Sequence, residues 1–273
     1  MRAQGIDFSK HQWGYEATVK AHDFAMVRAS IGWVTDIRFT QHVESIVDVP
    51  VRMAYHYFRS LGISDPLFWR RQADHYLETV YPYCLDAYVL DFERANNLPS
   101  VRFGSGARQW IDYVAEETGK FVILYINPAS YQEYLLQYGQ TWMNDYPLWV
   151  AQYPYKGWND KLQGVYDGTW QPRLPAGHKE WKFWQFSADG NRKGTENGLV
   201  KKSWELTPSV DLDVYNGSLA EMKEWLGMGA PVPEPPPTPP EPPTPAPVPP
   251  VQIGTVAWKG DKLSININVG LGE

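Results

Sequence analysis

The stretch Ala87-Tyr88-Val89-Leu90-Asp91-Phe92-Glu93 runs from an apolar segment directly into two acidic residues. The apolar part predicts a buried β-strand. Side chains two residues apart on a strand share a face, so Asp91 and Glu93 should project together from its C-terminal end. Two close carboxyl groups repel, and the less solvated one keeps its proton to higher pH, which supplies an acid and a base together. A solvated carboxylate pair or a metal site would fit this short motif as well.

The flanking sequence alternates between strand and helix signals, which predicts the fold. Helices are expected over Asp65–Val80, Val101–Thr118 and Ala129–Tyr138, whereas residues 154–178 show no helical period. We therefore predict an α/β fold: a modified, incomplete (β/α)8 TIM-like barrel with eight strands and fewer helices. The other seven predicted strands are Gly5–Ser9, Phe24–Ser30, Val51–Phe58, Phe121–Tyr125, Leu148–Tyr153, Trp181–Phe186 and Val210–Val214.

Polar and aromatic residues end these predicted strands, at the rim where barrel enzymes place their active sites. Such a collection has little structural purpose, so it favours a functional site. Besides Asp91 and Glu93, the set comprises Asp7, Tyr55, His56, Tyr57, Tyr125, Gln152, Gln185 and Asp211.

Composition excludes several classes of function. The net charge is −6 and basic residues are scattered, so nucleic acid is not expected as a partner. The single cysteine, Cys84, rules out an internal disulfide, and the remaining histidines lack metal-ligand spacing, so we expect no metal and no cofactor. The N-terminus has no signal-peptide pattern, and no apolar run is long enough to span a membrane.

The proline content divides the chain. Residues 231–250 are mostly proline, which predicts an extended polyproline II spacer. We therefore expect a catalytic barrel over residues 1–228, a linker over 229–250 and a short β-hairpin tail over 251–273. The two strands of this hairpin are predicted at Val251–Ala257 and Leu263–Val269. A lone hairpin is marginal in water, so the tail should pair with copies of itself, dock on a partner or belong to a longer domain.

An ordered set of motifs over about residues 3–226 resembles glycoside hydrolase family 25, the Chalaropsis-type lysozymes or N-acetylmuramidases. The motifs are Asp7-Phe8-Ser9, Ala54-Tyr55-His56-Tyr57-Phe58, Asp91-Phe92-Glu93, Leu124-Tyr125, Leu148-Trp149-Val150-Ala151-Gln152-Tyr153, Trp184-Gln185-Phe186 and Val210-Asp211-Leu212-Asp213.

The resemblance implies hydrolysis of the β-1,4 bond between N-acetylmuramic acid and N-acetylglucosamine, with net retention. Glu93 would be the general acid, and Asp91 either a nucleophile or the residue that orients the substrate's acetamide group. Asp7 and Asp211 match two further active-site aspartates. The chain departs from the family at Asp213, where asparagine is usual, and over residues 154–180. Positions that match the substrate groove are Tyr55, His56, Tyr57, Tyr125, Trp149, Gln152 and Gln185.

Bacterial peptidoglycan is therefore the expected partner. A phage endolysin or virion-associated lysin is the expected context, retained in the host cytoplasm until a holin releases it, or carried in a virion. Residues 251–273 could then serve self-association or virion docking. The alternative is a virion structural or glycan-binding protein whose barrel has minor or no lytic activity.

Overall fold

The computed structural model of the protein describes residues 1–12, 15–17, 22–93, 100–153, 171–188, 199–201, 210–228, 257–259 and 262–264. The chain divides into two compact units, Met1–Ala230 and Pro231–Glu273. The predicted linker over residues 229–250 lies outside the described residues.

The first unit is built on a closed eight-stranded barrel. Its strands pair in the order β1-β11-β9-β8-β7-β6-β5-β3, and the barrel closes where β3 pairs with β1. The barrel strands are β1 (Gln4–Phe8), β3 (Phe24–Ile31), β5 (Val51–Tyr57), β6 (Ala87–Asp91), β7 (Val122–Ile126), β8 (Leu148–Ala151), β9 (Phe183–Ser187) and β11 (Asp211–Tyr215). Outside the barrel lie β2 (Tyr15–Ala17), paired with β10 (Leu199–Lys201), and β4 (Val34–Thr35), paired with β3.

One strand of the barrel runs against the others. β11 pairs antiparallel with both β1 and β9, whereas the remaining barrel seams are parallel. Asp211 had been expected at the end of the last strand, and this is wrong: it is the first residue of β11. The reversal nevertheless brings it to the predicted rim, because Asp211 stands opposite Asp7 in the register of β1 and β11.

Alternation along the strands divides the apolar core into two layers. Phe24 and Met26 of β3 point into the barrel, whereas Ala25 and Val27 point outward to the helices. The inner layer becomes polar towards the C-terminal ends of the parallel strands, where Arg28 continues the inward face of β3. The predicted barrel with eight strands is therefore confirmed, with a filled interior that opens at one end.

The helices cover the outside unevenly, and all are short or medium in length. Ser100 caps α3 by accepting the Phe103 N–H at 3.0 Å, and Gly119 ends it in the left-handed region at φ 63°. No helix in the described part of the chain is long and apolar enough to cross a membrane. The helices are α1 (Phe39–Ser45), α2 (Phe68–Val80), α3 (Val101–Thr118), α4 (Pro128–Tyr138) and α5 (Leu219–Trp225).

The last helix, α5, closes the end of the barrel opposite the polar one. Met222 is fully buried in the inner layer, and the Trp225 ring stacks at 5.0 Å on Phe121, which precedes β7. A capping box at Ser218 and Glu221 fixes the start of the helix. This end of the barrel is therefore covered by α5.

The second unit contains an antiparallel strand pair, β12 (Ala257–Lys259) and β13 (Lys262–Ser264). This pair lies within the hairpin predicted for residues 251–273, and the other parts of those predicted strands fall outside the described residues.

Candidate active site

A cavity of about 340 Å³ opens at the C-terminal ends of the parallel strands. Its described walls carry carboxyl groups, aromatic rings and one guanidinium group, which is the mixture expected of a polar substrate site in a barrel. The lining residues are Asp7, Ser9, His11, Arg28, Tyr55, Asp91, Glu93, Tyr125, Trp149, Tyr153, Gln185, Ala188 and Asp211.

Asp91 and Glu93 share this cavity, as their spacing predicts. Asp91 is the last residue of β6, and Glu93 follows two residues later with the same inward direction. Burial raises the pKa of both carboxyl groups, and the negative charge of Glu93 raises the pKa of Asp91 further. The buried Oδ1 of Asp91 has no hydrogen-bond donor in the described part of the chain. The pair therefore retains a proton at pH values where exposed carboxyl groups are ionised.

Asn127 holds Glu93 from the neighbouring strand. Its side-chain oxygen caps α4 by accepting the Ser130 N–H at 2.9 Å, so its amide nitrogen is left to donate to Glu93 Oε1 at 3.3 Å. This contact favours the ionised carboxyl and lowers the pKa of Glu93, against the larger effect of burial. The sequence analysis gave Asn127, the residue that precedes α4, no role.

Asp7 is oriented by a relay of hydrogen bonds across the cavity wall. Gln185 Nε2 donates to Asp7 Oδ2 at 2.6 Å. The Oε1 atom of Gln185 accepts the O–H groups of Tyr125 at 3.0 Å and Tyr153 at 2.8 Å, which fixes the amide with its nitrogen towards Asp7. Burial, the largest influence, raises the pKa of Asp7 from its usual 3.8 to about 6. The Gln185 amide therefore holds the carboxyl group of Asp7 in place: its nitrogen donates to Asp7, and its oxygen is fixed by the two tyrosines.

Arg28 is a member of the site that sequence analysis missed. Its Nε lies 2.7 Å from Asp36 Oδ2, and both side chains are buried. Its Nη2 atom has no acceptor among the described residues. The positive charge lowers the pKa of Asp91 and Asp7. The signal was available, since Arg28 is the one charged residue within the apolar segment Phe24–Ile31.

Four of the predicted groove residues, Tyr55, Tyr125, Trp149 and Gln185, do line the cavity. The Trp149 ring meets Tyr125 edge-on at 4.5 Å and forms the buried floor.

Two other predicted groove residues, Tyr57 and Gln152, do not line the cavity. The half-buried Tyr57 ring lies under the Arg59 guanidinium at 5.7 Å, and the Gln152 side chain accepts the Arg173 N–H at 2.5 Å.

His56 does not belong to the cavity, and its predicted contact with substrate is wrong. Strand alternation explains the error, because Tyr55 points into the barrel and the next residue must point outward to the helices. The His56 ring is fully buried and stacks on Trp110 at 5.1 Å. Its Nδ1 lies 2.8 Å from Ser30 Oγ and its Nε2 lies 3.3 Å from Gln72 Oε1. Burial lowers its pKa to about 3, so it is a neutral structural histidine.

The described residues contain no group of three or more His, Cys, Asp or Glu side chains arranged to hold a metal ion. Within that part of the chain the carboxyl groups of Glu93, Asp7, Asp213 and Asp36 meet amide, indole and guanidinium donors. The arrangement can therefore deliver and accept protons in a largely buried cavity.

The sequence is similar to a known glycoside hydrolase family and to a protein of Escherichia coli. A model of glycosyl hydrolases family 25 matches residues 6–195, a range that includes Asp7, Asp91 and Glu93 but ends before Asp211. The uncharacterized protein YegX of Escherichia coli O157:H7 is 29% identical over 238 residues, which span 81% of this chain and 72% of YegX.

Solved structures share the fold at lower identity. The bacterial lysozyme from Streptomyces coelicolor aligns with a TM-score of 0.60 at 21% identity, covering 84% of this chain and 97% of that one. A family 25 glycosyl hydrolase from Bacillus anthracis aligns with a TM-score of 0.59 at 20% identity, covering 81% of this chain and 92% of that one.

Proposed function

Because the chain belongs to glycosyl hydrolases family 25, we propose that it is a peptidoglycan hydrolase that cleaves the β-1,4 bond between N-acetylmuramic acid and N-acetylglucosamine. The observation that carries this proposal is the convergence of Asp7, Asp91, Glu93 and Asp211 on one cavity floored by aromatic rings. Glycoside hydrolysis needs paired carboxyl groups. The similarity in fold to a bacterial lysozyme supports peptidoglycan as the substrate.

In this proposal Glu93 is the general acid. Cleavage needs a proton on the glycosidic oxygen as the bond to C1 breaks, and a carboxyl group held protonated by burial can deliver it. Asn127, which favours the ionised form, then stabilises the carboxylate that remains. The same carboxylate can accept a proton from water in the second step, which restores the acid.

Asp91 assists at C1 in one of two ways, and both give net retention. As a nucleophile, its carboxylate would attack C1 to form a glycosyl-enzyme ester, which water then hydrolyses. In the substrate-assisted route, the acetamide oxygen attacks C1, and Asp91 accepts the acetamide N–H.

Mass spectrometry of rapidly quenched reactions distinguishes the two routes. A glycosyl adduct on the peptide that contains Asp91 would assign the nucleophile. Assistance predicts no adduct, and no turnover of a substrate in which the 2-acetamido group is replaced by hydroxyl. Proton NMR of the first-formed product should show the β-anomer in either case, and the α-anomer would refute net retention.

The experiment that tests the function itself is digestion of purified peptidoglycan. The wild-type protein should release soluble glycan fragments, and Glu93→Gln, which removes the acid but keeps the side-chain shape, should lower turnover by about 10²–10⁴-fold. Circular dichroism should show the same fold for both. Failure of the wild-type protein to release fragments would refute the assignment.

The context of this activity is a further part of the proposal. We propose a phage lysin whose residues 251–273, which contain the β12–β13 pair, associate with copies of the chain or with a virion. Deletion of residues 229–273 should leave digestion of purified peptidoglycan intact and abolish that association. Equal association with and without these residues would refute a docking role.

A further inference from the structure

A fifth carboxyl group, Asp213, lies beneath the wall of the cavity. Only 1% of the residue is exposed. In the register of β1 and β11 it stands opposite Gly5, one inward position deeper than the pair of Asp7 and Asp211. Its Oδ1 atom accepts the indole N–H of Trp149 at 2.8 Å. Its buried Oδ2 atom meets no hydrogen-bond donor in the described part of the chain.

The carboxyl group of Asp7 is within hydrogen-bonding reach of Asp213. Two carboxylates cannot hydrogen-bond to each other, since neither has a proton to donate. A proton on Asp213 would turn this contact into a hydrogen bond and give Asp7 a second donor besides Gln185. Leaving a buried polar atom unsatisfied is unfavourable, so the geometry favours one shared proton over two ionised groups.

The charged groups around this pair indicate which member holds the proton. Burial raises the pKa of Asp213 well above its usual range, and the negative charges of Asp7 on β1 and Asp211 on β11 raise it further. The Trp149 N–H on β8 acts in the opposite direction on Asp213. Arg28 on β3 lowers the pKa of Asp7. The proton therefore belongs on Asp213, and the negative charge on Asp7.

Groups on the remaining walls act on Asp7 rather than on Asp213. Glu93, which follows β6, raises the pKa of Asp7, whereas Gln185 on β9 lowers it by donating to its carboxylate. These two effects on the pKa of Asp7 oppose each other.

We propose that Asp213 works as a neutral carboxylic acid that donates a hydrogen bond to Asp7, and so holds Asp7 as an oriented carboxylate in the wall of the cavity. Asp213 is then a positioning residue that does not touch the glycan. The proposal rests on the proposed function, because it gives Asp7 a part in the same glycan-cleaving site.

Two substitutions separate this role from a charged one. In Asp213→Asn, the amide oxygen can still accept the Trp149 N–H, and the amide nitrogen can donate to Asp7. Turnover of peptidoglycan should therefore stay within about threefold of wild type. Asp213→Ala removes both contacts, and the loss of a hydrogen bond to a charged group predicts a fall of about tenfold or more. Asp7→Asn is the matched control, because the same chemical change at the carboxylate of the pair should lower turnover strongly.

The pH profile adds a readout that a purely structural residue would not move. Without a donor at position 213, the Asp7 carboxylate is less favoured, so the acidic limb of kcat/KM should move to higher pH in Asp213→Ala. Asp213→Asn keeps the donor and should leave the acidic limb where the wild type has it.

Infrared spectroscopy tests the proton directly and needs no activity. At pH 7 the wild-type protein should show one more protonated carboxyl band than Asp213→Asn. An equal number of protonated carboxyl bands in the two proteins would overturn the proposal. So would turnover by Asp213→Asn as low as that of Asp213→Ala, or turnover by Asp213→Ala equal to that of wild type. If wild-type protein fails to digest peptidoglycan, the proposed function falls, while the infrared comparison still decides whether Asp213 is neutral.

Discussion

Asp7→Asn should stabilise the folded protein, because Asp7 is a buried carboxylate whose charge the fold disfavours. Burial raises its pKa from the usual 3.8 to about 6. At pH 7 the group is ionised in both the folded and the unfolded chain, and a shift of roughly two units corresponds to about 3 kcal/mol of destabilisation. The amide that replaces the carboxyl group carries no charge and can still accept the hydrogen bond from Gln185 Nε2.

The gain should depend on pH in a defined direction. Since the pKa of Asp7 is higher in the folded state, its destabilising effect is nearly complete above pH 6 and disappears as the pH falls towards 3.8. The variant should unfold with about 3 kcal/mol more free energy at pH 7, about half that gain at pH 5 and almost none at pH 3.5. For a unit of this size the gain at pH 7 corresponds to a Tm increase of roughly 6–12 °C. Calorimetry of both proteins across this range is the assay.

Asp36→Asn is the matched control. Asp36 is also buried, but it pairs with Arg28 at 2.7 Å and accepts the backbone N–H groups of Lys10 and Arg38. Removing one partner of a buried ion pair typically costs about 3–5 kcal/mol, so this variant should be less stable at pH 7. An Asp7→Asn variant that is no more stable than wild type at pH 7 would contradict this prediction. Equal stabilisation at pH 3.5 would also contradict it, because the gain would then come from packing.

Three further outcomes follow from the same contacts. His56→Ala should lower the free energy of unfolding by about 3 kcal/mol and leave kcat/KM of the folded protein within about twofold of wild type. Nitrogen NMR of the wild-type protein should find the His56 ring still neutral at pH 5. A large loss of kcat/KM in the variant would instead support the predicted substrate contact. Arg28→Met should move the acidic limb of kcat/KM to higher pH, since Arg28 lowers the pKa of Asp91, and an unmoved limb would contradict this. Asn127→Ala should move the alkaline limb to higher pH, because the donor that lowers the pKa of Glu93 is lost; a shift to lower pH would refute the contact.

Much of the barrel could be predicted from sequence because its strands are apolar and bounded by turn residues. Asp91 and Glu93 were placed correctly by the two-residue period of a strand. The same period would have excluded His56, since Tyr55 and His56 cannot both face the cavity. The error arose where resemblance to a family motif was used without the side-chain direction.

Other features depended on contacts between distant segments, which a single sequence does not display. The antiparallel direction of β11 is set by its pairing with β1 and β9, and no local signal at Asp211 reveals it. The role of Asp213 likewise depends on Trp149, which lies on another strand. Local periodicity predicts the side of the strand to which each side chain points. The groups that shift its pKa lie on other strands, and only closure of the barrel brings them together.

The identity of the reducing ends released from purified peptidoglycan shows which glycosidic bond the protein cuts. After digestion, borohydride reduction and mass spectrometry, we expect reduced N-acetylmuramic acid at the fragment ends, with none formed by Glu93→Gln. Reduced N-acetylglucosamine would show that the protein cuts the other glycosidic bond, and equal release by Glu93→Gln would show that the carboxyl group of Glu93 is not the acid.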